Sequence, residues 1–423
     1  MASADVVPAA KSAGQRRHLS TAFPWIGDAL TVVVSIAVVI IGSELSLRLF
    51  PSLQIPVGES EYVFCGAPRT RHQPHARYGF TEIPGNNYFE RYSSFDPWNP
   101  VKINADGFRD NASGNGEPVI VLGDSFVRGS LVRESETFSA LLNAWHPQLL
   151  FKNYGTGGYG QPNEIRLYED KGRTIPHKLL IVGFSLSTDI EDNAERAVLT
   201  PSSVDINFEP AGSSPKYAGL LLETHLFLWK NSKLYNWVYS TLLRPYVGNS
   251  DSRQDIDDAL ELTKRLFGRL AAKAQGNGAD LLVVILPGWA EMAGRDDGLQ
   301  PARQREMIEN LAATTPSMFV VDPTARLAAA DPTKTFGVVD KHLSPLGHFL
   351  VAEVIDEWLL SEWRGRKTVR KSQHSFTPGP PVEPDCGQLS KANRSYSAAR
   401  PIGRAALWHF ELLHDFVLKP IPI

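Results

Sequence analysis

The stretch from Pro118 to Gly129, PVIVLGDSFVRG, decides the fold of this chain. Its four aliphatic residues, Val119 to Leu122, are typical of a strand that is covered on both faces of a sheet. Gly123 then lets the backbone turn sharply out of the sheet. We therefore expect Ser125 to lie at the carboxyl end of a buried strand, where open α/β sheets place their ligands. A simpler alternative is that Asp124 or Ser125 only caps the next helix.

The same kind of strand recurs along the chain. Apolar runs occur at VIVL, LLFKN, LLIVGF, DLLVVIL and MFVVD, and helical patterns such as ETFSALLNAW and IDDALELTKRLFGRLAAKAQG lie between them. Strands that alternate with amphipathic helices predict an α/β fold, with a mostly parallel sheet covered by helices on both faces in three α/β/α layers.

Composition excludes several classes of protein. The chain has 423 residues, 43% of them hydrophobic, and a formal net charge of −3, so nothing indicates a nucleic-acid partner. Its two cysteines, Cys65 and Cys386, make neither a disulfide framework nor a metal-binding pair. Outside the cytoplasm they could form one bridge, but Cys386 lies in a Pro- and Ser-rich stretch, and we expect no bridge. We expect neither a metal nor another cofactor, because His72, His75 and His177 lack partners at metal-ligand spacing.

The N-terminal region predicts a membrane anchor. Residues 26–50 are apolar enough to span a bilayer, and the centre from Ala29 to Gly42 carries no charge. Three cations precede this span: Lys11, Arg16 and Arg17. They place residues 1–25 in the cytoplasm and the rest of the chain outside it, in the periplasm if the source is bacterial. A cleaved signal peptide is less favoured, because no A-x-A-like cleavage site follows, and a buried core helix is the remaining alternative.

Local changes in composition divide the rest of the chain into segments. Residues 51–117 form an irregular N-terminal extension with one or two short strands, and residues 118–365 form the main domain. The main domain contains an insertion at 190–252, for which a helix packed on the core is favoured over a lid or a membrane-facing surface. Residues 366–423 are poor in large apolar side chains, so we expect a largely disordered tail.

Four stretches of the predicted domain fall at one edge of the sheet. Ser125 follows the first strand, NYGTGGYG the second and GFSLSTDIEDN the third, and DKHLSPLGH lies just before the last helix. Because the carboxyl ends of parallel strands meet at one edge, these stretches are expected to lie together.

In order and spacing, these motifs resemble those of the SGNH (GDSL-type) hydrolase superfamily, from about Val119 to Trp363. Gly-Asp-Ser is the first motif, Asn153 with Gly158 matches the second, and Asp340-x-His342 matches the last. The resemblance implies a flavodoxin-like strand order and either ester hydrolysis or acyl transfer. The G-x-S-x-G elbow of the α/β-hydrolases is absent, which argues against that other class.

The chemistry of these residues predicts a catalytic triad. An alcohol is a weak nucleophile at neutral pH, so Ser125 needs a base, and His342 is the candidate. Asp340 would hold the other ring nitrogen of His342 and stabilise the imidazolium that forms. His348 is a competitor, but a packing or exposed position suits it better.

An oxyanion that forms at Ser125 needs hydrogen-bond donors. The backbone N–H groups of Ser125 and Gly158 suit this role. The third donor that the resemblance implies is an Asn side chain, but Thr188, followed by Asp189, stands there. Asn193 lies too far along to substitute. A Thr hydroxyl has a shorter reach, so we expect slow hydrolysis of small esters.

The sequence therefore predicts a membrane-anchored serine esterase that acts on acyl, especially acetyl, esters of envelope carbohydrate or lipid. Its expected partners are that acylated substrate and the membrane. A polysaccharide O-acetyltransferase with the same triad is one alternative. A non-catalytic carbohydrate-binding or scaffold domain is another, since fold does not dictate function.

Overall fold

A computed structural model of the chain describes residues 24–50, 61–67, 70–92, 96–110, 112–172, 174–200, 203–206, 224, 228, 232–238, 256–295, 298–337, 340–363 and 374–391. These residues belong to two compact units. One unit comprises Met1–Ile55 with Glu223–Pro245, and the other comprises Pro56–Leu222 with Tyr246–Ile423.

The strands, in chain order, are β1 Glu61–Phe64, β2 His72–His75, β3 Gly79–Glu82, β4 Asn87–Arg91, β5 Asn99–Lys102, β6 Glu117–Leu122, β7 Leu149–Asn153, β8 Leu179–Ser185, β9 Ala197–Leu199, β10 Val204–Ile206, β11 Asp280–Leu286 and β12 Met318–Val321. The α-helices are Pro24–Leu49, Ser125–Arg128, Phe138–Trp145, Gln161–Lys171, Asp189–Arg196, Lys233–Val238, Ile256–Gly276, Trp289–Met292, Pro301–Thr314, Thr324–Ala329, Pro332–Thr335, Pro345–Ser361 and Cys386–Lys391.

The helix Pro24–Leu49 dominates the smaller unit. Its segment Asp28–Leu49 has 22 residues and a mean hydropathy of 2.3, and 6% of its most apolar stretch is buried. At 1.5 Å per residue the segment is ~33 Å long, about the thickness of the hydrocarbon core of a bilayer. Large apolar side chains such as Val33 and Ile41 are exposed along it. By length and composition this helix could span a membrane.

A short segment of the predicted 190–252 insertion belongs to this smaller unit. The carboxylate of Glu44 accepts hydrogen bonds from the hydroxyl of Ser232 (2.9 Å) and from the backbone N–H groups of Lys233 (3.1 Å) and Leu234 (2.8 Å). A carboxylate at this place satisfies N–H groups that the first turn of a helix leaves free. The helix Lys233–Val238 is therefore grouped with the apolar N-terminal helix and not with the main core.

The N-terminal extension contains five strands, so the prediction of one or two is wrong. β1, β4 and β5 form an antiparallel sheet in that order, and β2 pairs with β3 as a hairpin. Proline normally argues against a strand, but Pro74 lies in β2 and Pro100 in β5, which are both edge strands. At a sheet edge the missing N–H of proline costs no interstrand hydrogen bond. Tyr88, Val101 and Ile103 form a small core here.

The main sheet has the order β12-β11-β8-β6-β7, and all of its strand pairs are parallel. This is the flavodoxin-like order, so the predicted fold class is confirmed. The strand that comes first in the chain, β6, lies between β7 and β8. The connections that leave β6 and β7 therefore run in opposite directions across the sheet, which opens a crevice at the carboxyl end of β6.

Both faces of the main sheet are buried. In β6, Ile120 and Leu122 pack into one core, and Val119 and Val121 pack into the other. The first core includes side chains of the helices Gln161–Lys171 and Ile256–Gly276, and the second includes those of Phe138–Trp145 and Pro345–Ser361. Burial on both faces explains why the strands are continuously apolar.

Part of the predicted disordered tail lies against the main unit. The ring of His374 stacks on Trp145 at 3.7 Å between centroids, and Phe376 packs on Phe349 at 5.6 Å. Contacts between these rings hold the start of the tail against the main unit, although the tail has few large apolar residues.

Cys386 forms a disulfide with Cys65, with 5.1 Å between the Cα atoms, so the expectation of no bridge is wrong. The cause of the error is that Cys386 begins a short helix, Cys386–Lys391, instead of lying in a disordered segment.

We predict that Cys386→Ser lowers the free energy of unfolding of the main unit by about 2–5 kcal/mol. The reason is that the disulfide restricts the unfolded chain across a separation of 321 residues. Thermal unfolding of the detergent-solubilised full chain, followed by circular dichroism, measures this. Cys65→Ser and the double variant should match Cys386→Ser, since each removes the same bond. Two free thiols in a non-reducing peptide map of the parent would contradict the pairing.

Candidate active site

Ser125 begins the one-turn helix that follows β6. Gly123 makes this turn with φ of 154°, and a Cβ on it would lie 2.1 Å from Cγ2 of Val127, so no larger residue fits. Oδ1 of Asp124 accepts a hydrogen bond from the N–H of Phe126 (2.8 Å) and caps the helix. Asp124 therefore takes the capping role, and the half-buried Ser125 hydroxyl remains available for other contacts.

The structure brings Ser125, His342 and Asp340 together. Nε2 of His342 lies 2.7 Å from Oγ of Ser125, and Nδ1 of His342 lies 3.2 Å from Oδ2 of Asp340. Oδ1 of Asp340 also accepts a hydrogen bond from the backbone N–H of His342 (3.3 Å). This is the geometry in which a base can take the proton of a hydroxyl while a carboxylate fixes its tautomer.

A tight turn presents His342 to Ser125. Phe336 and Leu343 pair as an isolated bridge, and the N–H of Gly337 donates to the carbonyl of His342 (2.7 Å). Lys341 takes a left-handed conformation, with φ of 64°. This turn reverses the chain just before the helix Pro345–Ser361, so a long stable helix fixes the position of the imidazole.

The surroundings of His342 favour its protonated form. Burial lowers the pKa of His342, but the hydrogen bond that it donates to Asp340 and the charges of Asp340 and Asp124 outweigh burial and raise the pKa above its ordinary value. An imidazole with a raised pKa accepts a proton readily, which suits a general base.

The competing histidine has a structural position. His348 is buried, its ring lies 5.9 Å from that of Phe138, and burial lowers its pKa to about 3. It therefore stays neutral at physiological pH. His177 bonds Tyr168 and a backbone carbonyl, and His75 stacks on Tyr78. Within the described part of the chain, no three His, Cys, Asp or Glu side chains are grouped to hold a metal ion.

The two residues of the second motif have different positions. The amide nitrogen of Asn153 donates to the carbonyl of Val127 (2.8 Å) and to Oγ of Ser139 (3.0 Å). Its oxygen accepts from the N–H of Gly155 (2.9 Å). Asn153 thus ties the loop after β7 to the helix of the serine. Gly158 has φ of 77°, a left-handed conformation in which a side chain would be strained.

The Thr188 hydroxyl makes its hydrogen bonds within the protein. That hydroxyl lies 3.1 Å from Oδ2 of Asp124 and 2.9 Å from Oγ of Ser185. A hydroxyl has one proton, and these two oxygens of the protein already compete for it. The predicted role of Thr188 as an oxyanion donor therefore gains no support from its contacts. Asn193 is also buried, and its amide donates to Gln161 (2.6 Å).

Buried carboxyl groups lie behind Ser125. Burial raises the pKa of Asp124 to about 6, and burial together with the charge of Asp124 raises the pKa of Glu164 and Asp189 well above their ordinary values. Glu164 and Asp189 therefore keep a proton to higher pH than exposed carboxyl groups do. Asp340 and Asp124 carry negative charges that stabilise the protonated imidazole of His342.

A buried charge network, which no sequence pattern predicted, supports the helix Ser125–Arg128. Arg128 is fully buried and donates to the carboxylates of Glu82 and Glu90, the latter at 2.9 Å, and to the hydroxyl of Tyr88 (2.6 Å). Its partners lie 38 to 46 residues earlier in the chain. No local pattern in the sequence could have found them, because the pairing depends on how the N-terminal extension docks.

Solved structures similar to the chain are of the same class that its motifs resemble. A lipolytic protein of the G-D-S-L family from Veillonella parvula is 16% identical, with 59% of this chain and 100% of that chain covered and a TM-score of 0.34. A two-domain esterase active on acetylated mannans is 15% identical, with 64% and 54% covered and a TM-score of 0.35. An acetyl xylan esterase is 12% identical, with 56% and 97% covered and a TM-score of 0.35.

No protein-family model and no curated protein matches the chain. At such identities and TM-scores, neither activity nor substrate transfers from the similar structures, and both must be inferred from the side chains of this chain.

We predict that His342 titrates with a midpoint above that of a free imidazole and that Asp340→Asn lowers this midpoint, because the hydrogen bond to Asp340 and the charge of Asp340 favour the imidazolium. Nuclear magnetic resonance of histidine-labelled protein measures both midpoints. Asp331→Asn, at an exposed carboxylate before the same turn, should leave the midpoint unchanged. His348 should not titrate between pH 5 and 9, because its pKa is about 3. A midpoint for His342 that Asp340→Asn leaves unchanged would contradict the contact between these two residues.

Proposed function

We propose that the chain is a membrane-anchored serine esterase of the SGNH type that cleaves acyl esters. The observation that carries this proposal is the contact of 2.7 Å between Oγ of Ser125 and Nε2 of His342, with Asp340 on the other ring nitrogen. A hydroxyl that only capped a helix would have no need of an imidazole held in one tautomer by a carboxylate. The crevice beside β6 gives a substrate access to this contact.

The reaction proceeds in two halves. Oγ of Ser125 attacks the carbonyl carbon of the ester while Nε2 of His342 takes the hydroxyl proton, and the carbonyl oxygen becomes an oxyanion. The intermediate collapses with cleavage of the bond to the alcohol, which leaves with the proton from His342. Water then attacks the acyl-serine, His342 takes and returns a proton in the same way, and the acid and free Ser125 are released. Asp340 stabilises the imidazolium in both halves.

The substrate that we propose is an acyl ester, especially an acetyl ester, of envelope carbohydrate or lipid. The apolar helix supports this choice, because an anchored enzyme meets the molecules at its own membrane surface. The alternative activity is that of an O-acetyltransferase, in which the hydroxyl of a second carbohydrate attacks the acyl-serine in place of water. Both activities use the same acyl-serine, so the acceptor and not the triad distinguishes them.

We predict that Ser125→Ala and His342→Ala each lower kcat/KM on an acetyl ester by about 10⁴-fold or more, because the two residues act as one unit. Both variants should also lose labelling by a fluorophosphonate. Ser361→Ala and His75→Ala, at positions outside this site, should match the parent. Equal activity of all five proteins would refute the triad.

The products separate the remaining functions. Release of free acetate from an acetylated oligosaccharide supports the esterase, whereas transfer of the acetyl group to a second oligosaccharide supports the transferase. A folded parent that neither turns over an ester nor reacts with the probe would support a non-catalytic binding domain.

We further propose that Pro24–Leu49 is an uncleaved anchor and that the main domain lies outside the cytoplasm. The disulfide between Cys65 and Cys386 supports this side of the membrane, since such bonds persist in oxidising compartments. The cations Lys11, Arg16 and Arg17 before the helix favour the same orientation.

If the orientation is right, the full-length protein should resist alkaline carbonate extraction, and a reporter fused after Trp363 should be active only outside the cytoplasm. Replacing Arg16 and Arg17 with Glu should weaken this orientation, while replacing Lys264 and Arg265 of the main domain should not. A soluble mature protein that starts near residue 50 would instead identify a signal peptide.

A further inference from the structure

A small gap lies between Ser125 and the N-terminal extension, and Gly157 keeps it open. A methyl group built on Gly157 would lie 3.6 Å from Cβ of Ser125 and 3.8 Å from Nη2 of Arg71. Both are ordinary van der Waals distances, so the methyl would fit but would fill the gap. Glycine at 157 therefore leaves room for about one heavy atom between the serine side chain and a guanidinium.

The guanidinium of Arg71 is fixed in place. Its Nη1 donates to the hydroxyl of Tyr62 (2.8 Å), its Nε donates to the hydroxyl of Tyr88 (3.2 Å), and the group lies over the ring of Tyr62. Nη2 also lies 3.6 Å from Oε1 of Glu82. Nη2 is the guanidinium nitrogen that lies 3.8 Å from the Cβ position of Gly157.

The reaction needs a hydrogen-bond donor beside Ser125, and Arg71 lies where such a donor is needed. The oxygen that becomes negative is bonded to the carbon that Ser125 attacks, so it must lie within a few ångströms of the serine side chain. Donors that are already oriented lower the barrier most, because they need not reorganise as charge develops. A guanidinium held by two hydroxyls is such a donor, and its positive charge strengthens the hydrogen bond. The Thr188 hydroxyl, in contrast, is engaged by Asp124.

We propose that the oxyanion occupies the gap beside Gly157. Nη2 of Arg71 and the backbone N–H of Ser125 each donate a hydrogen bond to it there. The inference rests on the proposed esterase function and adds a catalytic residue from the N-terminal extension.

Steady-state kinetics on a neutral acetyl ester test the role of Arg71. Arg71→Met should lower kcat about a hundredfold with KM within about twofold, because the contact exists only when the oxygen carries charge. Arg71→Lys should be intermediate, since an ammonium keeps the charge but not the fork. Binding of methylboronic acid, which forms a tetrahedral adduct on serine, should weaken in parallel with kcat.

Arg91→Met is the matched control. Arg91 lies in β4, the strand that also holds the Arg71 partner Tyr88. It pairs with Glu61 at 2.7 Å and lies over the ring of Trp98 at 4.3 Å. Its loss should leave kcat within about twofold of the parent. If Arg71→Met behaves like Arg91→Met while Ser125→Ala is inactive, the Arg71 role is wrong and the esterase stands. If the parent itself lacks turnover that depends on Ser125, the proposed function fails first.

Gly157→Ala tests the gap without disturbing Arg71. The position does not require a left-handed conformation, and the added methyl makes only ordinary contacts, so the variant should fold. We expect kcat to fall by at least tenfold, because the methyl occupies the place of the oxygen. Gly268→Ala, whose added methyl has nothing within 4 Å, should be unchanged. Full activity of Gly157→Ala would overturn the proposal, as would an effect of Arg71→Met that is confined to anionic esters.

Discussion

The buried contact of Arg128 with Glu82 and Glu90 is the interaction on which the site depends. Burial alone raises the pKa of Glu82, but the charges of Arg128 and Arg71 outweigh it and lower the pKa to about 2, so the pair stays ionised. Removal of one partner of such a pair leaves a buried charge uncompensated, at a cost of roughly 3–5 kcal/mol. The extension and the helix of Ser125 are therefore held together, and the extension is part of the active-site scaffold.

Local patterns in the sequence were sufficient for the fold and for the outline of the site. The alternation of apolar runs with amphipathic helices predicted the parallel sheet, because burial on both faces requires continuous apolar strands. The same reasoning placed Ser125 at the carboxyl edge, and the structure brings His342 and Asp340 to it. The sheet and the place of Ser125 follow from periodicity and chain order, whereas the choice of His342 and Asp340 followed from the need of a serine for a base and from the resemblance of their motif.

Features that depend on distant pairing could not be predicted. The strands β2 and β5 contain prolines that only an edge position tolerates, and no sequence window reveals where an edge lies. The disulfide joins Cys386 to Cys65 across 321 residues, a pairing that a composition count cannot register. The direction of the Thr188 hydroxyl depends on Asp124, a residue 64 positions away that accepts its hydrogen bond.

The bond between Cys65 and Cys386 closes most of the main unit into a covalent ring. A single peptide cut at any point between these two residues opens the ring but releases nothing, because both new ends remain attached through the sulfur atoms. The part of the chain that carries Ser125 and the part that carries His342 would thus stay on one molecule after a nick. Separation of Ser125 from His342 would need a second cut within the ring, or a reductant as well.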